Sequence, residues 1–164
     1  MTIKVGINAF GRMGRLSLRA GWDNPELEFI HINEPAGDAA TLAHLLNFDS
    51  VHGRWQHEAS SRDNHIQIGE HSISISRNKA IADTDWSQCD VVIDCSGKMK
   101  KQALLQAYLD QGVKRVVVSA PVKEDGVLNI VMGVNDRLYD PALHPIVTAA
   151  SCTTNCIGPV VKVI

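Results

Sequence analysis

The sequence predicts an α/β domain built on a doubly wound parallel sheet. Short apolar runs alternate with amphipathic helical runs, and the turns that join them are short and hold glycine. A third observation is one local break in that order, an alternating Ile pattern that reads as an antiparallel hairpin inserted in the sheet.

The elements follow in order. Ile3–Asn8 is a short apolar strand. Gly11 and Gly14 accompany a helical pattern in which Met13, Leu16, Leu18 and Ala20 recur up to Trp22, and Asn24-Pro25 ends it. Leu27–Asn33 reads as a second strand and 38–48 as a helix with Ala39, Leu42, Ala43, Leu45 and Leu46 on shared faces. Ile66 and Ile68, then Ile73 and Ile75, alternate around Gly69-Glu70 and predict the hairpin over 65–76. Val91–Asp94 is a buried strand, 100–110 a helix stopped by Gly112, and 114–119 another buried strand. Two further short strands are expected over 129–132 and Ile146–Thr148, then an apolar helix over 157–164 that Pro159 should bend. In such sheets ligands bind beyond the strand C-termini, which points to the turns after Asn8, Asn33, Cys95 and Ser119.

Composition narrows the function classes. A chain of 164 residues fits one domain and buries a real core. Its 45% apolar and 21% charged residues are ordinary for a soluble protein, and no run approaches the roughly 18 apolar residues of a membrane span. A strand pattern beginning at Ile3 leaves no room for a signal peptide, so a cytoplasmic location is the default expectation. The net charge of −2 exerts no pull toward nucleic acid, and Lys98, Lys100 and Lys101 read as a solvated helix face. Cys89, Cys95, Cys152 and Cys156 are spaced irregularly, which favours free thiols. No histidine follows Cys152 and Cys156 to complete a zinc site, so no metal is expected.

Two motifs carry chemistry. Ala9-Phe10-Gly11-Arg12-Met13-Gly14 follows a strand and opens a helix, as a dinucleotide fingerprint does, with Ala9 where the first glycine belongs. A methyl group there is tolerated if φ is negative and costly if φ is positive. Glu34 stands twenty positions beyond Gly14, where a carboxylate accepts hydrogen bonds from the adenosine ribose hydroxyls and repels a 2′-phosphate. NAD is therefore expected rather than NADP. The second motif, Ser151-Cys152-Thr153-Thr154-Asn155-Cys156, places a thiol at a helix start, where exposed N–H groups favour the thiolate.

Val5-Gly6-Ile7-Asn8-Ala9-Phe10-Gly11-Arg12-Met13-Gly14-Arg15, Asp49-Ser50-Val51-His52-Gly53-Arg54, Ser119-Ala120-Pro121, Met132-Gly133-Val134-Asn135 and the run from Ala150 through Cys156 together resemble glyceraldehyde-3-phosphate dehydrogenases. The resemblance spans the chain in order and corresponds to the N-terminal half of such an enzyme. It implies a Rossmann-type NAD-binding domain over 1–150 and, over 151–164, the start of a catalytic-domain helix whose remaining domain is absent. It further implies that Gly11, Arg12 and Met13 approach the pyrophosphate, with Met13 also near the nicotinamide. Glu34 would hold the adenosine ribose, Arg77 would lie near the adenine, and Ser96, Gly97 and Ser119 would line the rest of the groove. Cys152 would be the nucleophile, Ser151 and Thr153 would bind inorganic phosphate, and Cys156 would be structural.

The implied reaction is attack of the Cys152 thiolate on a phosphorylated aldehyde, oxidation by NAD to a thioester, and release of an acyl phosphate by inorganic phosphate. The intact protein would be a homotetramer. The family's histidine base lies beyond Ile164; His44 reads as one face of a helix and His52 as part of a structural turn. The family usually has glycine at Ala9 and aspartate at Glu34. Asn33-Glu34 also resembles erythrose-4-phosphate dehydrogenases, and residues 37–55 resemble paralogues of arsenic-resistance operons. A reading from another class is a stand-alone NAD-binding or redox-sensing module.

Overall fold

The computed structural model describes residues 2–164. Strand β1 (Ile3–Asn8), helix α1 (Arg12–Gly21), strand β2 (Leu27–Asn33) and helix α2 (Ala39–Asn47) follow in the expected order. A two-stranded ribbon, β3 (Phe48–Asp49) with β4 (Gly53–Arg54), comes next, then a meander of β5 (Ala59–Arg62), β6 (His65–Ile68) and β7 (His71–Ser76). The second half holds β8 (Val91–Asp94), α3 (Gln102–Leu109), β9 (Arg115–Val118), β10 (Leu128–Asn129), β11 (Ile146–Thr148) and α4 (Cys152–Val163). None of the described helices is long and apolar enough to cross a membrane.

Nine strands form one sheet in the order β10-β11-β9-β8-β1-β2-β7-β6-β5, with β3 and β4 apart. Pairing is parallel from β10 to β7 and antiparallel through β7, β6 and β5. The inserted hairpin is thus a three-stranded meander. Its strand β5 escaped prediction because Ala-Ser-Ser-Arg carries no apolar alternation. The connection from β1 runs to β2 on one side, while β8 pairs on the other, so the chain reverses direction across the sheet at β1.

That reversal places a core on each face. One cluster joins Val5, Ile7, Leu18, Ile32, Leu42 and Leu46; the other joins Trp86, Val92, Leu105, Tyr108, Val116 and Val118. Neighbouring residues on β8 divide between them, Val92 to the second cluster and Ile93 to the first, as strand alternation requires. Full burial of each large aliphatic side chain contributes about 1.5–3 kcal/mol.

Two expectations need correction. The strand expected over 129–132 is only Leu128–Asn129, because the Val131 carbonyl accepts from Val134 and Asn135 and turns the chain away. The helix expected to start at the thiol motif does begin at Cys152, and it carries Pro159 inside it. Lys98, Lys100 and Lys101 are exposed but precede α3, with Lys101 at its N-cap, so they lie on a loop and not on a helix face.

Candidate functional site

Register brings one row of polar residues to the C-terminal edge of the sheet. Asn8 on β1 stands opposite Asn33 on β2 and Asp94 on β8, and Asn33 stands opposite Ser76 on β7. On the other flank Thr148 of β11 pairs with Asn129 of β10. Asn8, Asn33, Asp94 and Thr148 are all buried, each at the end of its strand. The crevice of a doubly wound sheet opens at such a row, where strand order reverses.

The turn after β1 is held from three directions. The Ala9 N–H donates to the Asn33 carbonyl at 2.8 Å, the Phe10 N–H to Glu34 Oε2 at 2.7 Å, and Arg15 Nη1 to the Phe10 carbonyl at 3.0 Å. Ala9 sits at φ +70°, the left-handed region that disfavours a β-carbon. The two glycines serve different ends. A β-carbon on Gly14 would lie 2.3 Å from the Ala9 carbonyl oxygen, so α1 can pack on β1 only with glycine there. One on Gly11 would meet nothing within 4 Å, which leaves the turn's outer surface open to a ligand. No side chain caps α1, so its first N–H groups also face outward.

Glu34 is half-buried at the end of β2, and its other oxygen accepts the Ala36 N–H at 2.9 Å. Each oxygen keeps a second lone pair free. Exposed Arg12, at the start of α1, is paired with Asp49 at 2.8 Å. The His52 and Val51 N–H groups, with Arg12 beside them, hold the Asp49 carboxyl below the usual range. His52 therefore belongs to a structural turn, and His44 lies exposed on α2 against Phe48. Met13 is exposed at the N-terminal turn of α1, and exposed Arg77 follows β7 on the β2 side of the crevice.

On the opposite side, the loop after β8 is pinned by Asp94. The Ser96 N–H and hydroxyl donate to Asp94 Oδ1 at 3.0 and 2.7 Å, and Gly97 follows at φ +66°. Ser119, half-buried just past β9, donates its N–H to the Asp94 carbonyl. Burial pushes the neighbouring Cys95 thiol up to about 11.

The nucleophile motif stands at the end of β11. Ser151 is the N-cap of α4, accepting the Thr154 N–H, and Cys152 is exposed as the first helical residue. The Ser151 hydroxyl lies 2.9 Å from Thr153 Oγ1 and 2.7 Å from Thr154 Oγ1. Ala150 before them is buried at φ +54°. The Thr148 hydroxyl accepts its N–H, and the Asn155 carboxamide spans it by donating to the carbonyls of Ala149 and Ser151. Cys156 is exposed here, so no packing role for it is visible within this chain. All four cysteines are free thiols. Among the described residues no group of three His, Cys, Asp or Glu side chains could hold a metal ion.

The sequence reading named Gly11, Glu34, Ser96 and Cys152 and the Ser151–Asn155 run, but gave no site role to the side chains of Asn8, Asn33, Asp94 and Thr148 or to Tyr108, whose hydroxyl donates to Asp94 Oδ2. A polar residue closing an apolar strand is a legible signal for the strand-end members. Tyr108, inside a helix, offers none.

A family model described as "Glyceraldehyde 3-phosphate dehydrogenase, NAD binding domain" matches residues 3–102. The chain is 55% identical to glyceraldehyde-3-phosphate dehydrogenase 3 of Nostoc sp., 41% to glyceraldehyde-3-phosphate dehydrogenase of Geobacillus stearothermophilus, and 42% to glyceraldehyde-3-phosphate dehydrogenase 1 of Bacillus subtilis. Each alignment covers 100% of this chain and 49% of the relative, so the chain spans about half the length of the curated relatives it matches.

Proposed function

The chain belongs to the glyceraldehyde-3-phosphate dehydrogenase family, and from that membership we propose that it serves an NAD-dependent phosphorylating aldehyde dehydrogenase, with residues 1–150 holding the cofactor and 151–164 presenting the nucleophile. The observation that carries the reading is the crevice at β1: an open Gly11 surface, an uncapped helix start and the Glu34 carboxylate at one sheet edge.

The residues present fit NAD. The N-terminus of α1 and the bare Gly11 backbone receive the pyrophosphate. Glu34 accepts the adenosine ribose hydroxyls with the lone pairs that Phe10 and Ala36 leave free, and its charge opposes a 2′-phosphate. Arg77 lies at the adenine end, while Ser96, Gly97 and Ser119, past β8 and β9, line the rest of the groove. When bound, NAD supplies the two-electron acceptor of the oxidation.

Cys152 attacks the aldehyde carbon of glyceraldehyde 3-phosphate, forming the C–S bond and a hemithioacetal hydroxyl; a base outside this chain would take that hydroxyl's proton as the same carbon gives up its hydrogen as hydride to the bound acceptor, which leaves the thioester. The Ser151 and Thr153 hydroxyls, 2.9 Å apart, orient the inorganic phosphate that displaces Cys152 from the resulting thioester and leaves as the acyl phosphate. The intact protein works in the cytoplasm as a homotetramer in this reading.

Calorimetric titration of the chain with NAD and NADP tests it. NAD should bind at least about tenfold more tightly, a difference of about 1.4 kcal/mol. Glu34→Gln, which keeps an acceptor for the Phe10 N–H but removes the charge, should narrow that gap. Equal affinity for the two cofactors in the unmodified chain would remove the role given to Glu34.

A further inference from the structure

His31 lies half-buried on β2, two residues before Asn33. Gly6 stands opposite it on β1, and a β-carbon there would lie 3.0 Å from the Trp86 ring and 2.8 Å from Cys89 Sγ. The bare position lets Trp86 come down on β1 and meet the His31 imidazole edge-to-face, with ring centroids 5.3 Å apart. Held there, both ring nitrogens reach serine hydroxyls on β7. Nδ1 is 2.7 Å from Ser74 Oγ, and Nε2 is 2.9 Å from Ser76 Oγ.

The protons of both hydroxyls are already committed. Ser74 donates to the Ile30 carbonyl at 3.1 Å and Ser76 to Asn33 Oδ1 at 2.8 Å. The Asn33 amide cannot be reversed, because Asn78 donates its N–H to Oδ1 and accepts Nδ2 with its carbonyl. Each serine therefore accepts from His31, and two donating nitrogens require the imidazolium. Burial lowers the His31 pKa and the Asp85 carboxylate opposes this, so the ring is neutral at neutral pH. Other titratable groups on the elements around it are Lys4 on β1, His65 on β6 in register with Ser74, and Cys89 and Tyr108, the last two kept protonated by burial. In the neutral ring one nitrogen takes a proton from a serine, and that serine releases its present acceptor. The costs are unequal. Asn33 is 2% exposed, whereas Ile30 is half-buried and its bond to Ser74 is the longer one. A buried acceptor left short is the greater loss, so Ser74 turns to Nδ1 and Nε2 keeps its proton on Ser76.

We propose that His31 is a positioning residue for the Glu34 side of the crevice: its Nε2–H holds the Ser76 hydroxyl on Asn33, and only the Ser74 hydroxyl turns when the ring gains or loses a proton. Asn33 is where the effect reaches the crevice. Its carbonyl accepts the Ala9 N–H, and its Nδ2 donates to Asn8 Oδ1 and the Asn78 carbonyl. One residue thus ties the ends of β1 and β2 to the loop after β7, where Arg77 stands. The Ser76 carbonyl accepts the Glu34 N–H, which joins the same strand ends a second time. A role in cofactor binding rests on the NAD reading of the crevice; the hydrogen-bond assignment does not.

The first test needs no variant. In the 164-residue chain, imidazole nitrogen shifts above the His31 titration should show the proton on Nε2; a proton on Nδ1 overturns the proposal. Two substitutions then separate the nitrogens. Glutamine places its amide nitrogen where Nε2 stands and asparagine where Nδ1 stands, so His31→Gln keeps the donor to Ser76 and His31→Asn only that to Ser74. Without ligand, exchange of the Asn78 N–H, which meets Asn33 Oδ1, should quicken about threefold or more in His31→Asn and stay within about twofold in His31→Gln, the scale of one hydrogen bond. The NAD dissociation constant should follow the same order, about threefold weaker in His31→Asn and little changed in His31→Gln. Equal exchange in the two variants overturns the proposal, and exchange that separates them while NAD affinity does not overturns the role in the crevice. If the unmodified chain binds no NAD, the cofactor reading fails, and the nitrogen shifts and exchange still decide whether His31 positions Asn33.

Discussion

Two alanines sit in the left-handed region on either side of the chemistry, Ala9 in the turn after β1 and Ala150 before Ser151. That conformation costs an L-residue roughly 1–2 kcal/mol, and the bonds around each residue hold it there. Ala9→Gly should release the strain and return part of the gain as unfolded-chain entropy. A net gain of about 0.5–1 kcal/mol, a rise of about 1–4 °C in melting temperature, is expected, with NAD affinity within twofold. A lowered melting temperature would count against the strain. The thiols give a second prediction. Cys152 and Cys156 are exposed, whereas burial holds Cys89 and Cys95 at about 11, so iodoacetamide at pH 8 should label the first pair well before the second. Mass mapping showing early modification of Cys95 would contradict the packing. The motif pointed to Ala9 as the position to watch, but the sign of its φ depends on how the turn is tied to β2. Ala150 carried no such signal, because alanine before a cap is unremarkable in sequence.

Helix α1 is placed by its glycines, and the two should answer substitution differently. Gly14→Ala pushes a methyl group into the Ala9 carbonyl and Ile7, at 2.3 and 3.2 Å, and separates α1 from β1. A loss of about 2 kcal/mol or more in urea unfolding is expected, together with loss of NAD binding. Gly11→Ala has open space around it, so stability should change by less than about 1 kcal/mol while NAD binding weakens. Equal destabilisation by both would refute the division of roles. Elements with a strong period were legible: β1, β2, the β6–β7 hairpin and the start of α2 at Asp38, whose side chain accepts the Thr41 N–H. Strand β5 and the β3–β4 ribbon were not, since pairing with β6 and the Asp49 turn stabilise them rather than any apolar pattern of their own.

Buried ionisable groups tie the stability of the whole molecule to pH. Burial raises Cys89 from 9.0 to about 11, so the fold keeps a thiol that the unfolded chain ionises. A raised folded value contributes stability that is complete below about 9 and lost as pH climbs through about 11. For Cys89 the loss is on the order of 2 kcal/mol, and half-buried Cys95 adds a smaller part in the same direction. Melting temperature should fall between pH 8 and 10.5, and a Cys89→Ala, Cys95→Ala double variant should flatten the fall; an unaltered slope would show that other groups dominate. At this scale the division between sequence and structure has a physical cause. The alternation of strands and helices, the glycine turn, Glu34 at its distance and the Ser151-Cys152-Thr153 cap are local, set by propensity and spacing along the chain, and all are legible in the residues alone. The row from Asn129 and Thr148 through Asp94, Asn8 and Asn33 to Ser76 joins residues up to 140 positions apart in a 164-residue chain. Sheet register put Asp94, Asn8, Asn33 and Ser76 in one chain of hydrogen bonds and the Tyr108 hydroxyl on Asp94, so which polar residues meet at the sheet edge depends on pairing between distant segments and not on any local pattern.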